Sequence, residues 1–361
     1  MSKQVSILFA GGGTAGHLLP ALATEEALSK KLSKHDGFSL QSTYLATRSG
    51  AERKILERSK ANFCFVPKTD LPRKFGIGLI TFLPRLIYAL LRTLPLARRA
   101  DVVVGFGGYV ALPAYLAAYL ARKPLIIHEA NALPGLANRL GRHLASRALS
   151  NFQLPDWALR DAIGLPIRDS IWRIGTLESS ARKRAQEQAR INFGLAGNVK
   201  TILIFGGSLG AAKLNDVLAS SLDRILERGY QVLHSVGEGN SAPSRKAGYQ
   251  PLPFISEMDQ AYLAADLVVS RSGAGTCAEI LATGIPAILI PLNIGNGEQM
   301  LNAQEVEKIG TARIIANKNL VDLALLNAID ELKSNSPVAV PARGSAADAL
   351  AEIIIELSKV R

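Results

Sequence analysis

Three stretches of this chain place glycines and hydroxyls directly after an apolar run and ahead of a helical one, the arrangement that holds a phosphate. Gly11, Gly13 and Gly16 satisfy G-x-G-x-x-G after the apolar residues 5–10. Glycines there let backbone N–H groups approach an anion, and the positive end of the following helix attracts it. Gly206-Gly207-Ser208-Leu209-Gly210 repeats the pattern after residues 200–205. Arg271-Ser272-Gly273-Ala274-Gly275-Thr276-Cys277-Ala278-Glu279 repeats it after residues 267–270. Glu279 falls one to two turns into that third helix, where a carboxylate can accept from ribose hydroxyls. His17 follows the first loop at once. A neutral imidazole suits removal of a hydroxyl proton, and a helix N-terminus disfavours its protonated form. Each feature has a plainer reading beside it: turns chosen for packing, a carboxylate that only supports its helix, a histidine that only caps one.

Which anion is held is narrowed by what surrounds the loops. A dinucleotide enzyme keeps an acidic residue at the end of its second strand to hold the ribose. Here residues 40–46 end in Thr47-Arg48-Ser49-Gly50, with no such group. An arginine accepts a 2′-phosphate, so an NADP-dependent reductase stays as an alternative to a nucleoside diphosphate. No Asp-x-Asp pair exists to clamp a nucleotide-bound metal, and the five histidines show no ligand spacing with one another or with Cys64 and Cys277. The expectation is therefore no metal. The two cysteines are far apart and flanked by apolar residues, which reads as buried thiols in a reducing compartment. A strand pattern begins at residue 5, leaving no room for a signal peptide, so a cytoplasmic location is expected.

The elements that must carry these groups alternate. Short apolar runs at residues 5–10, 40–46, 101–104 and 124–128 are separated by helical stretches, and the pattern restarts at 200–205, 230–236, 267–270 and 287–291. Such alternation predicts parallel sheets covered on both faces. The expected fold is α/β: two Rossmann-like, doubly wound parallel-sheet domains facing across a cleft, residues 1–165 and 166–344, with a last helix over 345–361 packing back on the first. The 361 residues suffice for two cores, and a hinge is expected near residues 164–167, where Gly and Pro interrupt both periodicities. Residues 102–121 are uncharged but broken by Gly105, Gly107, Gly108 and Pro113, so they read as strand, loop and helix rather than a membrane span.

Lys plus Arg total 42 against 30 Asp plus Glu, a formal charge of +12 that asks for an anionic partner. Between Asp70 and Asp101 there is no acidic residue, yet Arg73, Lys74, Arg85, Arg92, Arg98 and Arg99 alternate with Phe75, Ile80, Phe82, Leu83 and other apolar residues. A basic, apolar segment of this kind suits the face of an anionic membrane, and it equally suits an ordinary helix with solvated arginines. Nothing in it matches a nucleic-acid docking element.

Taken in order, Gly11-Gly12-Gly13-Thr14-Ala15-Gly16-His17, Gly105-Phe106-Gly107-Gly108-Tyr109, His128-Glu129-Ala130-Asn131, Gly206–Ala211, Ser272–Glu279 and Glu298-Gln299 resemble the bacterial MurG family over nearly the whole chain. The resemblance implies a GT-B fold and inverting transfer of N-acetylglucosamine from UDP-N-acetylglucosamine to lipid I, the undecaprenyl-diphosphate-linked muramoyl pentapeptide, without a cofactor. It implies His17 as the catalytic base, with Thr14, Ala15 and Gly16 beside the donor sugar and Asn131 nearby. Arg168, Ser208, Ile255 and the run Ala274, Gly275, Thr276, Cys277, Ala278 and Glu279 would contact the nucleotide, and Gln299 the sugar hydroxyls. Gly107, Gly108, Tyr109 and Glu129 are acceptor-side candidates. The lipid-linked acceptor favours the membrane reading of Arg73, Lys74, Phe75, Ile80, Phe82, Leu83 and Arg85, and a peripheral place on the cytoplasmic face of the cell membrane. Two positions depart from the family pattern: Ala15 where a glycine is common, and Glu298 where a glutamine is. A UDP-sugar epimerase, another lipid glycosyltransferase and a non-catalytic nucleotide-binding scaffold are the alternatives.

Overall fold

The computed structural model describes the chain except residues 1–2, 13–14, 35–36, 49–55, 58–60, 70–76, 158–160, 208–211, 294–295, 336, 338–343 and 359–361, together with the side chains of 3, 15 and 77–80. It divides into two compact units, Met1–Arg168 with Gly344–Arg361, and Asp169–Arg343.

In chain order the first unit holds β1 (Lys3–Gly12), α1 (Ala15–Leu32), β2 (Phe38–Ala46), β3 (Phe63–Phe65), α2 (Ile77–Arg99), β4 (Val102–Gly108), α3 (Ala111–Leu120), β5 (Leu125–Glu129), α4 (Leu136–Gly141) and β6 (Arg147–Ser150). Its six strands are parallel, in the order β3-β2-β1-β4-β5-β6. Inner strands covered on both faces lose all contact with water, so they read as unbroken apolar runs: Val102, Val103 and Val104 are fully buried, as are Ile126 and Ile127. Alternate residues of β1 then serve different faces. Val5, Ile7 and Phe9 pack with Leu18 and Leu28 of α1. Leu8 and Ala10 pack on the opposite side with Ala89 and Ala97 of α2 and with Tyr115 of α3.

The second unit runs α5 (Asp169–Trp172), α6 (Ser179–Asn192), β7 (Lys200–Phe205), α7 (Ala212–Glu227), β8 (Tyr230–Ser235), β9 (Tyr249–Leu252), α8 (Met258–Ala264), β10 (Leu267–Ser270), α9 (Ala274–Thr283), β11 (Ala287–Leu289), α10 (Glu298–Glu307), β12 (Ala312–Ile314) and α11 (Asp322–Leu332). Its strands are also parallel, in the order β12-β11-β10-β7-β8-β9. An ion pair between the buried Arg190 and the half-buried Asp266 fastens α6 to this sheet. Arg190 Nη2 lies 2.7 Å from Asp266 Oδ2, the same oxygen that accepts from the Thr201 N–H at 2.6 Å. Removing Asp266 would leave the buried Arg190 charge without its counter-ion.

Read from the first strand of each unit, both sheets have the order 3-2-1-4-5-6. The chain leaves the central strand in opposite directions, so β1 and β4 in one unit, and β7 and β10 in the other, flank the topological switch point where α/β sheets bind ligands beyond their strand ends. The uncharged stretch 102–121 is β4 followed by α3.

The final helix, α12 (Ala346–Leu357), belongs to the first unit. Ser345 caps it, accepting from the Asp348 N–H, and Leu350, Ala351 and Ile354 enter the core that contains Val5, Ile7 and Phe9. Lys31 Nζ reaches Glu352 at 2.8 Å across the α1 contact. Leu350→Ala is expected to lower the stability of the first unit by about 2–5 kcal/mol, the cost of deleting a fully buried leucine side chain. Urea unfolding followed through Trp157, buried in the same unit, measures it; an unmoved midpoint would mean that α12 contributes nothing to that core.

Candidate functional site

At the first switch point the strands are held by backbone-to-backbone contact. The register of β1 against β4 shifts between Ala10 and Gly11, so that Gly11 faces Gly107 and Gly12 faces Gly108. Gly108 has φ +85°, and a Cβ there would sit 1.9 Å from the Gly12 carbonyl oxygen and 3.2 Å from His17 Nδ1. A Cβ on Gly11 would lie 2.4 Å from the His17 carbonyl oxygen. These glycines let β4, the end of β1 and the first turn of α1 touch directly, and they seat the half-buried His17 ring beside Gly108. Gly16 is exposed next to it, Thr14 lies outside the described residues, and Ala15 opens α1.

Tyr109, just beyond β4, is exposed, with Lys68 Nζ 4.0 Å from its ring centroid and its carbonyl accepting from Thr69. Glu129, at the end of β5, is turned inward. Its Oε1 accepts from the Asn131 N–H at 2.9 Å and from Asn131 Nδ2 at 3.4 Å. Its Oε2 accepts from the Gly135 N–H at 2.9 Å and from Asn138 Nδ2 at 2.8 Å. Burial pushes its carboxyl above the ordinary range, while these hydrogen bonds pull it back. The structure thus brings Asn131 and Glu129 together.

At the second switch point, β10 ends at Ser270, and the buried Arg271 and Ser272 lead into α9. The cap residue of α9, Gly273, offers no side chain, and the first turn carries no acidic residue. The N–H groups of this turn thus have no capping side chain from Gly273, and the helix dipole lies behind them. A Cβ built on Gly273 or Gly275 meets nothing within 4 Å among the described residues. Gly11 and Gly108 at the first switch point are crowded by neighbouring backbone; Gly273 and Gly275 at the second border no described atom.

Side chains around α9 are fixed in turn. Ser272 Oγ donates to the Gln299 carbonyl at 2.8 Å, and Gln299 Oε1 accepts from the Leu292 N–H at 3.0 Å, leaving its Nε2 amide as donor. Arg271 Nη1 donates to Asn317 Oδ1 at 2.8 Å and to the Ile290 carbonyl at 3.1 Å. Tyr262, fully buried on α8 and edge-on to Phe205, donates its hydroxyl to Glu279 Oε2 at 2.8 Å. Glu279 and Thr276 are half-buried, whereas Ala274 and Ala278 are packed. Cys277 is fully buried and burial pushes its thiol up, so that side chain packs while its backbone lies in α9. Ile255 is buried beside an exposed Phe254. Arg168 is half-buried at the last residue of the first unit's main segment, and Ser208 lies outside the described residues. Glu298 Oε2 accepts from the Asn296 N–H at 2.8 Å. Tyr262, Asn138 and Tyr115 carried no signal in the sequence: each reads as one more helical residue.

On α2, Ala89, Thr93 and Ala97 face the core. The opposite face is not polar. Leu83, Ile87, Tyr88 and Leu91 line it, each about half exposed or more, with Arg85 and Arg92 also exposed. Phe82 is half-buried; Arg73, Lys74 and Phe75 lie outside the described residues, as does the side chain of Ile80. No described helix is long and apolar enough to cross a membrane. No group of three or more His, Cys, Asp or Glu side chains that could hold a metal ion occurs among the described residues.

Comparison with known proteins agrees with this geometry. Residues 7–150 match the glycosyltransferase family 28 N-terminal domain, and residues 201–356 match its C-terminal domain. The UDP-N-acetylglucosamine–N-acetylmuramyl-(pentapeptide) pyrophosphoryl-undecaprenol N-acetylglucosamine transferase of Corynebacterium efficiens is 39% identical over 342 residues, 92% of this chain and 89% of that one. The protein of the same name from Streptomyces avermitilis is 43% identical over 324 residues, 87% of this chain and 85% of its own. Among solved structures, Acinetobacter baumannii MurG superposes with a TM-score of 0.68 at 26% identity, covering 99% of this chain and all of that one. The calicheamicin glycosyltransferase CalG4 superposes at 0.66 with 13% identity over 99% of both chains, a likeness of fold alone. With both family 28 domains present and about 40% identity along most of its length, the chain belongs to the MurG family of glycosyltransferases, whose GT-B fold its two doubly wound sheets display.

Proposed function

We infer that this chain transfers N-acetylglucosamine from UDP-N-acetylglucosamine to the muramoyl sugar of lipid I, giving lipid II, with inversion at the sugar carbon and without a metal. The observation that carries the reading is α9: a helix N-terminus with no side-chain cap and no described atom within 4 Å of a Cβ built on Gly273 or Gly275, at a switch point, with Glu279 following on the same helix. Diphosphate charge is attracted to the N–H groups of residues 274–276, and the ribose hydroxyls donate to Glu279, whose carboxylate Tyr262 holds. The Nε2 amide of Gln299 donates to the sugar. In the first unit Asn131 lies beside the transferred sugar, and His17 serves as base. The acceptor hydroxyl oxygen bonds to the anomeric carbon as the bond from that carbon to the β-phosphate oxygen breaks. The electron pair leaves with UDP, and the hydroxyl proton passes to His17. Charge on the departing diphosphate meets a preorganised helix end, which is the task a metal performs in other transferases. Incubation with labelled UDP-N-acetylglucosamine and a short-chain lipid I analogue is expected to yield the disaccharide product at an undiminished rate in excess EDTA. Loss of turnover in chelator, restored by magnesium, would refute the metal-free step; no product under any condition would refute the transferase reading.

The outward face of α2 supports docking on an anionic membrane surface, the cytoplasmic face where the lipid-linked acceptor is held. Leaving Leu83, Ile87, Tyr88 and Leu91 in water forgoes about 25 cal/mol for each Å² of apolar surface that a bilayer would cover. Each nearby Lys or Arg adds about 1 kcal/mol, a contribution that salt screens. Leu83→Ser, Ile87→Ser and Leu91→Ser together are expected to reduce sedimentation with neutral and anionic vesicles alike. Arg73→Gln, Lys74→Gln and Arg85→Gln together should weaken binding to anionic vesicles only and flatten its salt dependence. Vesicle co-sedimentation at two salt concentrations reads both; variants that sediment like the parent would place the docking face elsewhere.

A further inference from the structure

Glu129 is buried, and all four of its hydrogen bonds given above are made inside the chain, two of them to backbone N–H groups at the ends of one short turn, Asn131 and Gly135. Behind it stands a second layer. Asn138 on α4 is 2% exposed and donates from Nδ2 to Glu129 Oε2 at 2.8 Å. Its Oδ1 accepts from the Tyr115 hydroxyl at 2.6 Å. A phenol donating to one end of a primary amide fixes which end is oxygen, and so directs the NH₂ at the carboxylate.

The tyrosine has no freedom to do otherwise. Its ring is fully buried in a slot between two glycines: a Cβ on Gly105 would lie 2.1 Å from its Cε1, and one on Gly141 would lie 2.2 Å from its Cδ2. A Cβ on Gly107 would come within 3.3 Å of Asn138 Nδ2. Three glycines on two elements therefore leave room for one hydroxyl, one amide and one carboxylate in series. The series ends on the turn that carries Asn131, whose own side chain reaches Glu129 Oε1 at 3.4 Å.

We propose that Tyr115, Asn138 and Glu129 are positioning residues, a buried relay that holds the 131–135 turn in the one shape that presents Asn131 to the transferred sugar. Glu129 acts on the transferred sugar through this turn and not by touching the acceptor. The assignment rests on the transferase reading, in which Asn131 lies beside the sugar; the relay itself is read independently of turnover.

The test uses the full chain with four isosteric variants: Tyr115→Phe, Glu129→Gln, Asn138→Asp, and Glu129→Gln with Asn138→Asp together. Amide hydrogen exchange over residues 130–136 is expected to quicken about tenfold in Tyr115→Phe, the loss of one hydrogen bond in the series, with exchange in β4 and β5 unchanged. The same variant should lose about tenfold in kcat, with the KM for UDP-N-acetylglucosamine unmoved, because the nucleotide is held in the second unit. Glu129→Gln sets an NH₂ against two donors, and Asn138→Asp sets two carboxylates together. In the double variant the amide faces the carboxylate again, so kcat should recover above both single variants. Additive losses in the double variant would show that the groups do not act in series. Unchanged exchange over 130–136 in all four variants would overturn the relay. Quickened exchange with unchanged kcat would overturn its role in positioning. A parent chain without turnover would refute the transferase reading while the exchange result still decided the relay.

Discussion

The first switch point depends on one contact, that of the Gly108 backbone with the Gly12 carbonyl, which no residue with a Cβ could make. Because β4 lies that close to the end of β1, the first turn of α1 closes over both and His17 is seated against the same glycine. The position of a side chain read as a base is thus set by main-chain contact. In the second unit the same kind of loop does a different job. A Cβ on Gly273 or Gly275 would meet no described atom, so the glycines there do not serve to bring a neighbouring strand close, and they suit the proposed approach of an anion to the N–H groups.

That division was invisible in the sequence, where all three glycine stretches read alike. A motif records that a Cβ is absent; only the tertiary neighbours decide what occupies its place. Much of the fold was legible nonetheless. Central strands such as β7 and β10 begin and end where the apolar runs do, since a strand buried on both faces is mostly apolar. The strands not read beforehand are β3, β6, β9 and β12, and they are the edges of the two sheets. An edge strand has one partner and a partly wetted face; these run to three or four residues with mixed burial, too short for any periodicity.

The candidate site shows the same limit. Glu279 and Gln299 could be singled out from motif position. The groups that hold them, Tyr262 and the Leu292 N–H, are separated from them in sequence and meet them only through packing. Glu129 was read from the run His128-Glu129-Ala130-Asn131 as an acceptor-side candidate, with a purely structural role as the alternative. Its inward turn follows from Asn138 and Tyr115, whose partnership depends on two distant glycines lying on either side of one ring. On α2 the residues were read correctly as basic and apolar, but periodicity alone did not show that the apolar residues outnumber what the core can cover.

The placement of α12 has a consequence for how the chain is made. The first unit's core contains Leu350, Ala351 and Ile354, and these leave the ribosome only after the whole of Asp169–Arg343 has been synthesised. Domains usually complete in the order of translation. Here the unit begun first is finished last, and the surface awaiting α12 stays apolar and uncovered while the later unit is already able to fold. A premature stop near residue 345 would therefore spare the half of the protein next to the lesion and damage the half farthest from it in sequence.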